Sequence, residues 1–261
     1  MCFPPGARPP EIPADLRPIS GGAGGQDVVL TSADGATFRS FVASGSGDAG
    51  VVFAPDVRGL HPFYEELVER FASASVHAIA FDYFGRTAGT ARRPDDFAFQ
   101  EHVAAARARP DLIQADIASA IAELTRRTGA SRIFVLGFCM GGRVAFNASA
   151  EQPGLAGVVG FYGVTRKRDD GDSDAPIDKV TRMRVPVLGL FGGGDQAIPA
   201  ADNEAFDRAL SAKGLAHHLV IYPNAPHSFF DRNFADWKEA CDDSWRRVLG
   251  FIASGDPKAA R

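Results

Sequence analysis

The chain has 261 residues, 45 % of them hydrophobic and 23 % charged, with a formal net charge of −4. These are ordinary values for a globular enzyme-sized domain with a sizeable core, and they give no electrostatic case for nucleic acid. No apolar stretch approaches the ~18 residues of a membrane span, and Met1-Cys2-Phe3-Pro4-Pro5-Gly6 lacks the basic and apolar regions of a signal peptide. In chain order, residues 1–25 are rich in Pro and Gly and are expected to wrap the surface, followed by one domain over 26–255. Gln26 to Thr31 and Thr37 to Ala43 read as a hairpin around Asp34-Gly35. Gly50 to Ala54 reads as a buried strand, Phe63 to Ser73 as an amphipathic helix, and His77 to Asp82 as the next strand. Residues 83–98 read as a loop, and 99–128 as largely helical with Pro110 starting or kinking a helix. Strands Ile133 to Leu136, Gly157 to Tyr162, Val185 to Phe191 and Leu219 to Tyr222 then alternate with helices Met140 to Ala150 and Ala200 to Ala212. A last helix covers about Asp236 to Ala253. Such alternation predicts an α/β class protein with a mostly parallel central sheet and helices on both faces. The charge-dense Arg166 to Asp174 segment reads as a solvated loop.

The chemistry centres on Gly137-Phe-Cys-Met-Gly-Gly142, which follows the apolar run Arg132 to Leu136. The pattern Gly137-x-Cys139-x-Gly141 is that of a nucleophile elbow, a strand turning sharply into a helix, with cysteine in place of serine. The glycines have a steric role, because the apex residue occupies strained backbone and its neighbours must be small. A thiol there is strongly nucleophilic, and a helix N-terminus favours the thiolate. In such a fold the acid and the histidine follow the nucleophile in that order. Asp195 closes a Gly192-Gly-Gly-Asp turn after one strand run, and His227 lies in Pro223-Asn-Ala-Pro-His-Ser-Phe229 after another. Each alone is an ordinary loop residue; in this order, at strand ends behind an elbow, they read as the triad Cys139–His227–Asp195. In Ala54-Pro-Asp-Val-Arg-Gly59, Val57 is expected to supply one oxyanion-hole N–H and Met140 the other.

Other candidates have plainer readings. Phe53, Phe81, Phe134 and Phe161 belong to a core. His61, His77, His102, His217 and His218 lack metal-ligand spacing and are expected at surface or boundary positions. The three cysteines, Cys2, Cys139 and Cys241, are odd in number and widely spaced, which argues against disulfides and suits a reducing cytoplasm. Cys241 is expected to be buried and inert. Phe138 and Tyr162 are expected to wall a pocket.

Taken together, Gly137-Phe-Cys-Met-Gly-Gly142, Phe161-Tyr-Gly-Val164, Gly192-Gly-Gly-Asp-Gln196, Ala225-Pro-His-Ser-Phe229 and Asp82-Tyr-Phe-Gly-Arg-Thr87 resemble the dienelactone hydrolase family, a cysteine-triad branch of the α/β hydrolases. The resemblance implies hydrolysis of an enol-lactone, 4-carboxymethylenebut-2-en-4-olide, to maleylacetate, without metal or cofactor, by a cytoplasmic monomer or homodimer acting on a small-molecule lactone or ester. It implies that Cys139 is the nucleophile, His227 the base and acid, and Asp195 its orienter. A family glutamate that activates the thiol corresponds to Asp56, one methylene shorter. Arg86 matches one arginine that binds the substrate carboxylate. The position of the other is Asp231, with Arg232 beside it and Arg58 near Asp56 as possible substitutes. These departures keep a second reading open, a broader carboxylesterase or thioesterase on the same triad. A third reading is a redox-sensing or binding protein that uses Cys139 without turnover.

Overall fold

The computed structural model describes residues 3–17, 24–94, 96–169 and 171–261, so Cys2 lies outside the described residues. Eight strands form one sheet: β1 (Gln26–Thr31), β2 (Thr37–Ala43), β3 (Ala49–Ala54), β4 (His77–Phe81), β5 (Arg132–Phe138), β6 (Gly157–Phe161), β7 (Val187–Gly192) and β8 (His217–Tyr222). Their order is β1-β2-β4-β3-β5-β6-β7-β8. β1 pairs antiparallel with β2, and β2 with β4; every other pairing is parallel. The sequence explains which strands lie where. β3, β4, β6 and β7 are buried along their whole length and read as continuous apolar runs, as strands covered on both faces must. The edge strands β1 and β8 are more polar and more exposed.

The helices are α1 (Pro62–Ser73), α2 (Gly85–Ala88), α3 (Gln100–Ala108), α4 (Pro110–Thr128), α5 (Met140–Glu151), α6 (Pro176–Lys179), α7 (Ala200–Lys213) and α8 (Lys238–Ser254). Parallel crossovers are right-handed. The chain steps one way from β3 to β4 and the other way from β4 onward, so α1 falls on one face and α4, α5 and α7 on the other. α8 joins α1, where Phe71 and Trp245 bring their rings to 5.0 Å. On the opposite face, Gln152, which follows the last residue of α5, donates to the Gln114 carbonyl of α4 at 2.8 Å. Pro110 does start a helix: it occupies the first turn of α4, where its missing N–H has no intrahelical role.

Three segments depart from expectation. The 83–98 loop is not merely a polar connection. Arg93, only 3 % exposed, donates Nε to Asp82 at 2.7 Å and its Nη groups to the Ala88 and Gly89 carbonyls at 3.0 and 2.5 Å, and this internal cation shapes the loop around α2. The Arg166 to Asp174 segment is anchored as well, because the buried Arg143 of α5 grips Asp172 bidentately at 2.8 and 2.7 Å. The N-terminal stretch crosses the surface, yet it buries Phe3, Ala7 and Ile12 in the core. Apolar side chains spaced along a proline-rich strand outweigh its surface character there.

Candidate active site

Cys139 joins β5 to α5 with φ 54° and ψ −111°, a conformation that an L-residue adopts only under constraint. The constraint is visible in its glycines. A Cβ on Gly137 would stand 1.9 Å from the Gly141 carbonyl oxygen, and one on Gly141 would stand 1.9 Å from that of Ala54. A Cβ on Gly142 would meet the Phe161 oxygen at 2.5 Å. The elbow is therefore wedged between the ends of β3 and β6, and no larger residue fits. The Cys139 N–H donates to the Phe161 carbonyl at 3.0 Å, fixing the apex at the N-terminus of a three-turn helix.

The loops after β7 and β8 meet by the same device. Cβ atoms on Gly192 and Gly194 would strike the carbonyl oxygens of Ala225 and Asn224 at 2.2 and 2.6 Å. This close approach sets Asp195 beside His227, and His227 Nδ1 donates to Asp195 Oδ2 at 2.6 Å. Asp195 is buried, and its other oxygen accepts the Ala197 N–H at 2.9 Å. With Nδ1–H committed to the carboxylate, Nε2 is the nitrogen left to act as base. Tyr162, held at φ 38° just past β6, lays its ring 4.9 Å from the imidazole and 6.1 Å from Phe138, the residue before Cys139.

The loop after β3 packs against the elbow through the Ala54 and Pro55 carbonyls. Neither the Val57 nor the Met140 N–H finds an acceptor among the described residues. Asp56, the chain neighbour of Val57, is fully buried. Its backbone N–H donates to Tyr64 Oη at 2.7 Å, and its Oδ1 accepts the Arg58 N–H at 2.8 Å. Its Oδ2 has no partner among the described residues. His61 is 1 % exposed, with Nε2 3.8 Å from Asp56 Oδ1 and neither ring nitrogen hydrogen-bonded among the described residues. The expectation of a surface or boundary position is thus overturned for His61, which occupies the N-cap position of α1 against Phe63 and Tyr64, and for His77, 6 % exposed at the start of β4 with both ring nitrogens bonded to backbone. Tyr83 was also not singled out from the sequence. Its hydroxyl donates to the Pro55 carbonyl at 2.7 Å. Burial, and then the charges of Asp56, Cys139 and Asp82, hold its phenol well above the ordinary tyrosine range. Its place immediately after a strand, at the end of the sheet where Cys139 sits, was the available signal.

The two candidate carboxylate-binding arginines are each paired with carboxylates of the chain. Arg86 donates to Asp116 at 2.7 and 2.8 Å and to Asp34 at 2.9 Å twice. These bonds tie α2, α4 and the β1–β2 turn together, and a substrate carboxylate would have to displace one of the partners. Arg232 is 41 % exposed and reaches Glu66 of α1 at 3.2 Å. Asp231 beside it is buried, and burial raises its carboxyl above the usual range. Arg58 is buried, and its Nη1 donates to the Phe3 and Pro4 carbonyls at 3.4 Å each. Cys241 is buried in α8 as expected, its thiol pushed up to about 12 by burial. No group of side chains suited to hold a metal ion occurs among the described residues, and no helix among them is long and apolar enough to cross a membrane.

The sequence profile of the dienelactone hydrolase family matches residues 38–254, a span that contains the elbow, Asp195 and His227. The chain belongs to this family. It is similar to a relative from Methylorubrum extorquens AM1 named "putative carboxymethylenebutenolidase", 28 % identical over 229 residues, covering 82 % of this chain and 75 % of the relative. A relative of the same name from Salmonella typhimurium is 30 % identical over 209 residues, covering 78 % and 76 %. Among solved structures, a "putative dienelactone hydrolase" from Klebsiella pneumoniae superposes with a TM-score of 0.74 at 27 % identity, over 88 % of this chain and 99 % of that one. An acylaminoacyl peptidase from Pyrococcus horikoshii, at 13 % identity and a TM-score of 0.73, covers 93 % of this chain and 43 % of its own, and shares the fold alone. The fold is that of the α/β hydrolases, and the family is one of hydrolases.

Proposed function

We propose that this family member opens an enol-lactone, with dienelactone as the reference substrate, through a thioester on Cys139. The observation that carries the reading is the 2.6 Å His227–Asp195 hydrogen bond standing behind a cysteine held at φ 54° on a helix N-terminus. The Cys139 thiolate attacks the lactone carbonyl. The negative charge passes to the carbonyl oxygen, where the Val57 and Met140 N–H groups hold it; each such donor is worth about 2.7–4 kcal/mol of barrier. Collapse of the tetrahedral adduct breaks the ring C–O bond and expels an enolate, a better leaving group than the thiolate, leaving the acyl group on sulfur. Water, losing its proton to His227 Nε2, then attacks the thioester, and the thiol is regenerated. Asp195 keeps the imidazole in the required tautomer. Asp56 is the proposed thiol-activating carboxylate, in keeping with its burial beside the elbow and an Oδ2 that lacks a partner among the described residues. Tyr162, its ring 4.9 Å from the His227 ring, is the proposed neighbour of the substrate, whereas Phe138 is 1 % exposed and packs in the aromatic core.

Ultraviolet-monitored hydrolysis of cis- and trans-dienelactone, with Cys139→Ala and a simple aryl ester as controls, tests this. Lactone loss that vanishes in Cys139→Ala supports it; its absence from wild type rules out the lactone. A second reading, a broader carboxylesterase or thioesterase, is favoured by one observation: Arg86 and Arg232 both already hold carboxylates of the chain. Cys139-dependent aryl ester cleavage without lactone turnover would select it.

A further inference from the structure

One peptide in the loop after β3 is gripped from both edges. The Tyr83 hydroxyl donates to the Pro55 carbonyl at 2.7 Å, and the Asp56 N–H donates to the Tyr64 hydroxyl at 2.7 Å. In a planar trans peptide the C=O and the N–H point in opposite directions, so the two hydroxyls stand on opposite edges of the Pro55–Asp56 unit. Both tyrosines are buried, Tyr64 in α1 and Tyr83 just past β4. Their mountings are fixed in turn. The Tyr64 ring meets His61 and Phe63 at 5.0 and 5.1 Å, and the Tyr83 ring meets Phe81 at 5.1 Å. Asp82, beside Tyr83, is bound by Arg93 at 2.7 Å and accepts the Leu60 and Phe84 N–H groups at 3.4 and 3.3 Å, which ties the loop after β4 to the loop after β3. Burial holds the Tyr83 phenol well above its ordinary range, so its hydroxyl keeps the proton it donates.

The grip reaches the Val57 N–H through the backbone. The Asp56 carbonyl accepts the Gly59 N–H at 3.1 Å, and Asp56 Oδ1 accepts the Arg58 N–H at 2.8 Å. Gly59 closes this turn at φ 74°, where a Cβ would stand 2.5 Å from Asp82 Oδ1. With the Asp56 C=O committed to the turn, the N–H of the same peptide plane, that of Val57, is directed the opposite way. The Pro55 oxygen also touches the elbow, since a Cβ on Gly141 would stand 2.3 Å from it. Rotation of the Pro55–Asp56 peptide would therefore shift the loop against the elbow, and with it the spacing of the Val57 and Met140 N–H groups.

We infer that Tyr64 and Tyr83 are positioning residues of the oxyanion hole: their hydroxyls hold the two edges of the Pro55–Asp56 peptide and so aim the Val57 N–H. The inference rests on the proposed chemistry at Cys139. A single bond from a packed tyrosine stabilises a fold in a general way. Two bonds that converge on one peptide fix a direction, and stabilisation of a developing oxyanion depends on donors whose direction is set before the reaction.

The test uses the full chain and two variants, Tyr83→Phe and Tyr64→Phe, each of which removes one hydroxyl and keeps the ring. Should one hydroxyl prove necessary for folding, the other variant carries the test. Hydrolysis of p-nitrophenyl acetate is measured well below each melting temperature, with Cys139→Ala as the blank. A misaimed donor costs less than the 10²–10³ of a deleted one, so kcat should fall by about 10- to 100-fold, with KM within about threefold of wild type. Two thiol reagents then separate the hole from the nucleophile. Trifluoroacetophenone adds reversibly to the Cys139 thiolate: the S–C bond forms and the carbonyl electron pair moves onto oxygen, so its inhibition constant reports the oxyanion hole. Iodoacetamide forms an S–C bond and expels iodide without making an oxyanion. The inhibition constant should rise by about tenfold or more in each variant, while iodoacetamide reacts with Cys139 within about threefold of the wild-type rate. A kcat within about threefold of wild type, a loss carried by KM alone, or iodoacetamide slowed in step with trifluoroacetophenone would overturn the inference and leave the catalytic reading intact. Wild type that cleaves no ester would instead sink the catalytic reading, and the inference with it.

Discussion

Arg86 and Asp116 are locked together: two guanidinium N–H groups meet a carboxylate that is 1 % exposed, at 2.7 and 2.8 Å. Removing one member of such a buried pair leaves the other as an uncompensated charge and typically costs about 3–5 kcal/mol. Arg86→Ala should therefore lower the unfolding free energy by roughly 3 kcal/mol in urea titrations. If Arg86 has no part in binding, the variant should shift the Michaelis constants of an anionic lactone and a neutral aryl ester in the same proportion. A rise confined to the anionic substrate would restore it as a carboxylate clamp.

The outer partner of Arg86 gives a pH dependence. The hydrogen bonds from Arg86 bring the Asp34 carboxyl down to about 2 from the ordinary 3.8. A depressed carboxylate adds stability above its unfolded pKa and loses it as the pH falls toward the folded value. The stability difference between wild type and Asp34→Asn should thus be present at pH 5 and shrink as the pH falls from about 4 to 2. The difference is read from urea midpoints across that window. A gap that stays constant down to pH 2 would contradict the pairing.

The two described thiols should behave oppositely toward alkylation. Cys241 is 2 % exposed, bonds to the Phe229 carbonyl at 3.2 Å and is held near 12 by burial, so in the native fold at pH 8 it carries its proton and meets no reagent. Cys139 is partly exposed at a helix N-terminus. Peptide mapping after brief iodoacetamide treatment should find Cys139 modified and Cys241 untouched until urea is added. Equal labelling of both would mean that α8 opens readily.

Asp195→Asn keeps the size of the side chain but no longer favours the tautomer in which Nε2 is unprotonated. In serine triads that change lowers kcat about 10⁴-fold with the geometry intact. A comparable loss is expected here, checked by the hydrolysis rate of the preferred substrate together with an unchanged melting temperature. A loss of less than about tenfold would show that His227 does not depend on the carboxylate.

What could be read in the sequence follows from how local the controlling physics is. The hairpin at Asp34-Gly35, the α4 start at Pro110 and the Gly137/Gly141 elbow are each set by residues a few positions apart, and each formed where expected. Asp195 and His227 were legible because strand ends in a parallel sheet converge, whatever lies between them. The ion pairs were not. Arg93 with Asp82, Arg143 with Asp172 and Arg86 with Asp116 join charges 11, 29 and 30 residues apart. Nothing in composition marks a charge as internal, so Arg93 and Arg143 drew no reading and Arg86 was assigned to a substrate by resemblance alone. Phe3 was hidden for a related reason: a proline-rich terminus looks like a tail until its one large ring is seen to have a socket.

Asp56 tests how far the site tolerates a shortened acid. Asp56→Asn preserves an oxygen to accept the Arg58 N–H and removes only the charge, so the turn that aims the Val57 N–H should survive. Around Asp56 stand His61, Tyr64 and Arg58, Tyr83 is acted on by the charges of both Asp56 and Cys139, and Oδ2 has no partner among the described residues. If that oxygen receives the thiol proton, the variant should lower kcat/KM for the lactone by about 10²–10⁴, the range of a lost proton acceptor, with the melting temperature unchanged or raised. Asp56→Glu should retain activity within about tenfold, since the longer arm brings the carboxylate nearer the sulfur. Iodoacetamide rates at Cys139 across pH 6–9 separate the two roles that Asp56 could hold. A slower alkylation in Asp56→Asn places the carboxylate on the thiol. Unaltered alkylation with reduced turnover would place its effect on the oxyanion loop instead, through Val57.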